Sequence, residues 1–410
     1  MGARSTQTLD KPAAWLNRNV VGMGLTSLLS DVGHEMATAI LPGFLTALGV
    51  SAAALGFIEG VADAVTSVCK LTSGWFTDRV GRRKPIAVGG YFLTGASTGI
   101  FALALGWPLV LVGRAAGWFG RGIRSPARNA ILASSVPAES RGKAFGFERA
   151  GDTVGAIIGP LIAVWLVGHF HSRFSGSAAP FRTVFLFSMI PGVFAGLMFF
   201  FMVKDNSGRA NPTKFIVAIK NLPRAFRRFL VGVGIFGMGD FAHTLMILAA
   251  TDLLTPGRGL TYATRIAGML YVLHNVIYAA ASYPVGALSD RLGRRGLLVF
   301  GYVSGTLTAA GLVAAFAWKI SVIPYLALLF AIGGFYVSFE EALEGSITAD
   351  MVESDFRGTA YGLLGGVNGA GDFVASVLVG GLWTVFSPVV AFAYSAVAML
   401  LGGILVYRLR

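Results

Sequence analysis

Long apolar runs follow one another along almost the whole chain, separated by short polar segments. Each run reaches the roughly 20 residues that a helix needs to cross a bilayer, so we predict twelve transmembrane helices. The predicted spans are 18–46, 52–77, 85–106, 108–136, 142–169, 181–203, 229–254, 261–288, 296–317, 321–349, 358–384 and 387–407. The polar stretch 204–228 divides them into two sets of six. We therefore predict an all-α membrane protein with an N-terminal lobe (1–203), a cytoplasmic linker (204–228) and a C-terminal lobe (229–410).

The composition agrees with this pattern. Of the 410 residues, 55% are hydrophobic and 13% are charged, whereas about 25% are charged in soluble domains. The net charge of +13 does not indicate nucleic-acid binding, because most Lys and Arg lie in short loops between the apolar runs. The glycines form no GxxxxGK[ST] phosphate loop, so we expect no ATP-driven pump and no cofactor.

The loop charges predict the orientation in the membrane. One side of the predicted bundle carries 22 Lys and Arg residues, and the other side carries five. Basic loops stay on the cytoplasmic side. We therefore expect a multi-pass protein of the plasma (inner) membrane with both termini in the cytoplasm and with anionic lipid headgroups as neighbours.

The two predicted lobes repeat the same sequence features. The stretch Gly74–Pro85 contains the pattern Gly, Asp-Arg, Gly and Arg-Arg, which returns at 286–295. Asp31 and His34 in the first span match Asp240 and His243 in the seventh. Because each lobe has an even number of spans, this is a parallel repeat, with a pseudo-two-fold axis along the membrane normal.

With these features the full chain resembles the major facilitator superfamily. The two basic loops are similar to the family signature between the second and third spans, and Gly155–Pro160 is similar to a motif of the family's exporters. The resemblance implies two six-helix lobes, a central cavity and alternating access. It also implies that Asp78 helps to hold the inner side closed.

Charged residues within spans are candidates for function, because a charge in hydrocarbon is costly. The fourth span carries a row of four arginines on one face, for which we predict a water-filled cavity, anionic partners or an anionic substrate: Arg114, Arg121, Arg124 and Arg128. In the tenth span, the repeat aligns Glu340 with Arg124 and Glu344 with Arg128. These residues are predicted either to pair across the lobes or to contact the substrate. Ser125-Pro126 predicts a break in the fourth span.

A second set joins carboxylates and imidazoles: Asp31, His34, Glu35, Asp240 and His243. It suits a proton relay, because imidazole titrates near neutral pH. The same groups are acceptable ligands for a divalent transition metal. A structural role is the third interpretation, and no metal site is firmly assigned.

A third set is predicted to act as gates or conformational latches. It comprises the basic-loop residues and charged or polar residues of the predicted lobe interface: Asp78, Arg79, Arg82, Arg83, Asp290, Arg291, Arg294, Arg295, Arg149, Asp152, Asn368 and Asp372. The alternatives are topology signals for the loops and simple hydrogen bonding or an Arg149–Asp152 pair for the interface.

The sequence thus predicts a monomeric, proton-coupled secondary transporter that exports a small charged solute, with an organic anion favoured. The first alternative is a divalent-metal exporter that uses the first and seventh spans. An intramembrane acid–base enzyme and a solute sensor are the remaining alternatives. The enzyme is disfavoured because the Asp-x-x-His pattern occurs in both halves.

Overall fold

The computed structural model describes residues 15–80, 83–137, 140–174, 176–205, 223–352 and 357–408. Within its helices, only the backbone is described at 70, 71, 73–80, 141, 142, 290, 349 and 357–359. All regular elements of this described part are helices: α1 (Arg18–Ala47), α2 (Ala52–Val80), α3 (Arg83–Leu103), α4 (Trp107–Ser134), α5 (Arg141–His171), α6 (Ala179–Met202), α7 (Arg224–Gly237), α8 (His243–Leu254), α9 (Leu260–Leu292), α10 (Arg294–Ala317), α11 (Ile323–Met351), α12 (Arg357–Val385) and α13 (Pro388–Arg408). The all-α prediction is therefore confirmed.

The predicted spans coincide with these helices except at the seventh. Within the described residues, nine helices are long and apolar enough to cross a membrane, and α1, α4, α7 and α8 are not among them. Helix α4 carries the four arginines, and the seventh predicted span is divided into α7 and α8.

The break between α7 and α8 corrects the prediction of one continuous seventh span. At Gly239 the backbone packs so closely that a Cβ atom would lie 2.6 Å from the Ser395 carbonyl oxygen of α13. Side chains satisfy backbone groups freed by the break: the Tyr394 hydroxyl donates to the Met238 carbonyl, and Ser376 Oγ accepts from the Ala242 amide. Such external partners make a broken helix tolerable within a membrane.

The opposite correction applies to α4, which continues through Pro126 instead of breaking there. Pro126 has no amide hydrogen to donate to the carbonyl of Gly122, one turn earlier. Membrane helices tolerate such a proline where neighbouring groups or waters re-satisfy the freed backbone.

The helices pack as two groups. Helices α1–α6 contact mainly one another, as do α7–α13. Between these N-terminal and C-terminal helix groups, α2 packs against α12 and α5 against α9. At Gly56 of α2, a Cβ atom would lie 2.1 Å from the Ser376 carbonyl oxygen of α12. The absent side chain therefore permits direct backbone contact between the groups.

Hydrogen bonds identify which helix ends lie together. Asn17 caps the start of α1 and donates to the Ser135 carbonyl after α4, and Asn19 donates to the Lys204 carbonyl after α6. We call this the basic end of the bundle. At the other end, the two groups touch through His171 and Thr261 (2.9 Å) and through the Ala53 amide and Thr384 (2.8 Å).

Candidate functional site

A cavity of about 520 Å³ lies between the two helix groups. Helices α1, α2 and α4 form one wall. Helices α8, α9, α11 and α12 form the other wall, together with the turn before α8. Because the turn at Asp240–Ala242 belongs to this wall, the broken seventh segment exposes backbone and polar side chains to the cavity.

The row of arginines on α4 is mostly turned away from this cavity. Of the four, only Arg114 lines it. Arg114 is held by Glu59 of α2, with Nε and Nη2 each 3.0 Å from Glu59 Oε2. It also donates to Thr38 Oγ1 at 3.2 Å. The expectation that the whole row faces the cavity is therefore corrected.

Each of the other arginines has partners within the N-terminal helix group. Arg121 Nη2 lies 2.8 and 3.0 Å from the two carboxylate oxygens of Asp31. Arg128 Nη1 lies 2.5 Å from Glu148 Oε1. Arg124 has no carboxylate partner in the described residues; it donates to a serine hydroxyl and lies 4.1 Å from the centre of the Tyr91 ring, a cation–π contact. Three of the four arginines thus have a carboxylate partner within the protein, so these three need no anionic substrate.

The Asp–His pattern repeated in sequence has two different environments. Asp31 is bound by Arg121, whereas Asp240 Oδ1 accepts a 2.5 Å hydrogen bond from Tyr336 and contacts the carboxyl group of Glu340. His34 packs edge-on against Trp118, with ring centres 5.2 Å apart.

The predicted metal-ligand set does not converge. Glu35 accepts a 2.9 Å hydrogen bond from Tyr271 of α9, so it links the two helix groups. His243 lies against His274 instead, with ring centres 4.8 Å apart. In the part of the chain that the structure describes, no three His, Cys, Asp or Glu side chains group as metal ligands.

The predicted pairs of Glu340 with Arg124 and of Glu344 with Arg128 are not formed here. Glu344 instead accepts hydrogen bonds from Tyr302 (2.5 Å) and Asn368 (2.7 Å), and so stays within the C-terminal group. Arg124 and Arg128 instead contact residues of α1, α3 and α5.

The ionic contact between the groups is formed by other residues. Arg149 of α5 lies 2.5 Å from Glu341 of α11, and Tyr278 of α9 hydrogen-bonds to both. Arg149 therefore does not pair with Asp152, which lies 3.8 Å from Arg121. Asn368 and Asp372, from the same predicted set, line the cavity.

The basic-loop residues whose side chains are described lie at the basic end and do not line the cavity. The Arg83 amide donates to Asp205 at 3.1 Å, Arg294 pairs with Asp350 at 2.7 Å, and Arg295 donates to the Val406 carbonyl at 2.9 Å. Arg291 is exposed. Arg82 lies outside the described residues, and the side chains of Asp78, Arg79 and Asp290 are not described.

Carboxyl groups dominate the cavity wall. Among the described residues, eight of them line it together with one arginine: Glu35, Glu59, Asp63, Asp240, Glu340, Glu341, Glu344 and Asp372. One oxygen of Glu59 and the hydroxyl of Thr244 are buried, with no hydrogen-bond partner in the described residues. The wall therefore presents hydrogen-bond acceptors and negative charge.

Sequence reasoning missed the tyrosines that hold these carboxylates. Tyr271, Tyr302 and Tyr336 each donate to an acidic side chain within the bundle. A tyrosine within an apolar span is itself a signal, because its buried hydroxyl needs a partner. The acceptor, however, lies in another part of the chain in each case and is not visible in local sequence.

The sequence model of the Major Facilitator Superfamily matches residues 23–264 and 229–410. The chain belongs to this superfamily. It is 31% identical over 391 residues to an MFS-type transporter of Methanocaldococcus jannaschii, covering 95% of this chain and 94% of that protein. It is 23% identical over 317 residues to the multidrug resistance protein MdtG of Salmonella paratyphi C, covering 73% of each.

Solved structures agree on the fold of this superfamily member. The nucleoside transporter NupG superposes with a TM-score of 0.76 at 11% identity, covering 95% of this chain and 98% of that one. A D-xylose–proton symporter superposes with a TM-score of 0.74 at 16% identity, covering 96% and 97%. The chain is therefore a multi-pass membrane transporter by family and fold, which argues against the intramembrane enzyme.

Proposed function

We propose that the protein is a proton-coupled secondary transporter that exports organic cations by alternating access. It works as a monomer in the plasma membrane. Its two lobes of six spans each, 1–203 and 229–410, are joined by the linker 204–228, and both termini are cytoplasmic. The two helix groups and the charge bias of the loops support this arrangement, and the gate residues predicted from sequence act at the lobe interface.

The choice of an organic cation as substrate rests on the acidic cavity. Within the part of the chain that the structure describes, eight carboxyl groups and one arginine line the cavity, and Glu59 already binds that arginine. A cation 4 Å from one carboxylate gains about 4 kcal/mol at an effective dielectric constant of 20, and an anion meets repulsion of the same size. Trp118 and Tyr271 add aromatic surface to the wall, which suits an organic cation.

Proton coupling follows from the same wall. The carboxyl groups of Asp240 and Glu340 are in contact, and two adjacent carboxylates hold a proton between them more readily than two negative charges. A cation that binds there takes the place of this proton. Export is supported by the similarity to MdtG, whose name records multidrug resistance.

An organic anion, the substrate favoured from sequence, remains a second candidate because Arg114 does line the cavity. It requires Glu59 to release Arg114. A divalent metal is a third candidate, through the carboxylates and His243, although these groups are not assembled as a metal site in the described residues.

Flux into proteoliposomes tests the proposal. Purified protein is reconstituted, a pH gradient is imposed, and uptake is followed for ethidium (a cation), carboxyfluorescein (an anion) and Mn²⁺. We expect ethidium uptake that dissipates the gradient, and at least a tenfold loss in Glu340→Gln. The matched control is Asp252→Asn, an exposed carboxylate of α8 outside the cavity. Uptake of carboxyfluorescein or Mn²⁺ without ethidium uptake would contradict the proposal.

A further inference from the structure

A second, much smaller void of about 10 Å³ shares His243 in its wall with the central cavity. Two imidazoles and two thioethers border it: His243 and Met246 of α8, His274 of α9 and Met399 of α13. We call these four side chains the His–Met cluster. All except His243 are almost fully buried, with exposures of 3% for His274, 4% for Met246 and 1% for Met399.

Both imidazoles carry a buried nitrogen without a partner. His243 Nε2 and His274 Nδ1 form no hydrogen bond within the described residues. The other polar side chains at the void are engaged: Tyr336 donates to Asp240 and Thr308 donates to the Ser304 carbonyl. Because buried polar atoms are nearly always satisfied in folded proteins, two free nitrogens at one void point to a missing ligand.

Two side chains of the cluster come close to one another beside Gly333 of α11. His274 Nδ1 and Met246 Cε lie 3.2 and 3.5 Å from the point where a Cβ atom of Gly333 would stand. The imidazole and the thioether arm therefore approach the same point.

We propose that the His–Met cluster binds one soft monovalent metal ion of the Cu(I) or Ag(I) type. Thioether sulfur selects soft ions, and imidazole nitrogen is a common second ligand for them. Four neutral ligands suit a monovalent ion better than they suit a divalent ion. Asp240 lies within electrostatic range of His243 and supplies a nearby negative charge.

His243 also gives the site a route to the main cavity. It lines both the central cavity and the small void. A metal ion reaching the cavity thus meets one ligand before it enters the cluster. The claim concerns binding at this cluster and does not depend on the organic-cation substrate.

Silver titration of the full-length protein tests the site, because Ag(I) is redox-inert. Cys69 is a free thiol, so every variant carries Cys69→Ser. We expect one tightly bound Ag(I) per chain by calorimetry and metal analysis, with sulfur and nitrogen neighbours in the X-ray absorption spectrum. Met246→Leu and Met399→Leu keep the side-chain volume and are expected to weaken binding at least tenfold each.

Met36→Leu is the matched control, because Met36 is equally buried (2% exposed) in α1, outside the cluster. It should bind Ag(I) as the parent does. Absence of stoichiometric Ag(I), or binding that neither cluster variant weakens, would overturn the proposal. The void would then be assigned to a water molecule that bridges the two imidazoles. Neither result affects ethidium flux, so failure here is distinguishable from failure of the transport proposal.

Discussion

The ion pair between Arg121 and Asp31 gives the sharpest test of whether the arginines of α4 are structural. The Asp31 side chain is 4% exposed and lies 2.8 Å from the guanidinium. At that separation the attraction is about 6 kcal/mol for an effective dielectric constant of 20. Arg121→Leu removes it and leaves a buried carboxylate without its partner, which costs about 3–5 kcal/mol.

The double variant Arg121→Leu/Asp31→Leu is expected to be at least about 2 kcal/mol more stable than Arg121→Leu, because it removes the stranded charge as well. The assay is the apparent free energy of unfolding in mild detergent, followed by circular dichroism. Arg258→Leu, at an exposed arginine, is the control and should change the apparent free energy of unfolding by less than about 0.5 kcal/mol. If Arg121→Leu is as stable as the parent, or if the double variant is no more stable than Arg121→Leu, the reasoning is refuted.

Two further predictions concern the contacts between the helix groups. Gly56→Leu is expected to separate α2 from α12, because its Cβ atom would lie 2.1 Å from the Ser376 carbonyl oxygen. The distance between spin labels on the two helices should increase, and an unchanged distance would count against this packing. Arg149→Ala is expected to change the free energy of unfolding by less than about 1 kcal/mol, because the side chains of Arg149 and Glu341 are both about half exposed. The substitution should alter the maximal transport rate more than the substrate affinity. A larger effect on affinity would indicate that Arg149 contacts the substrate.

The helices themselves could be predicted from sequence because each apolar run is long enough to cross a bilayer and each polar connection is short. The exception is the seventh span, which is divided into α7 and α8. Glycines such as Gly237 and Gly239 are common in membrane helices as packing residues, so they do not reveal a break. The break depends on Tyr394 and Ser376, which approach from other helices.

The candidate site could be predicted only in part, for a related reason. The sequence singles out the charged residues of the spans, but a charge's role depends on its partner. Asp31 and Asp240 carry the same local pattern, yet one meets Arg121 of α4 and the other meets Tyr336 of α11. The sequence shows an arginine row, and only the packing shows that Glu59, Asp31 and Glu148 pair with three of its four members.

Proton release on cation binding tests the central claim most directly. Tetraphenylphosphonium is added to purified protein in weakly buffered detergent solution, and the pH change is compared with that caused by tetraphenylborate, an anion of the same shape. The account predicts that the cation releases protons, that Glu340→Gln suppresses the release and that Asp252→Asn retains it. Proton release or uptake with the anion alone, or cation binding without proton release, would contradict exchange at the acidic cavity.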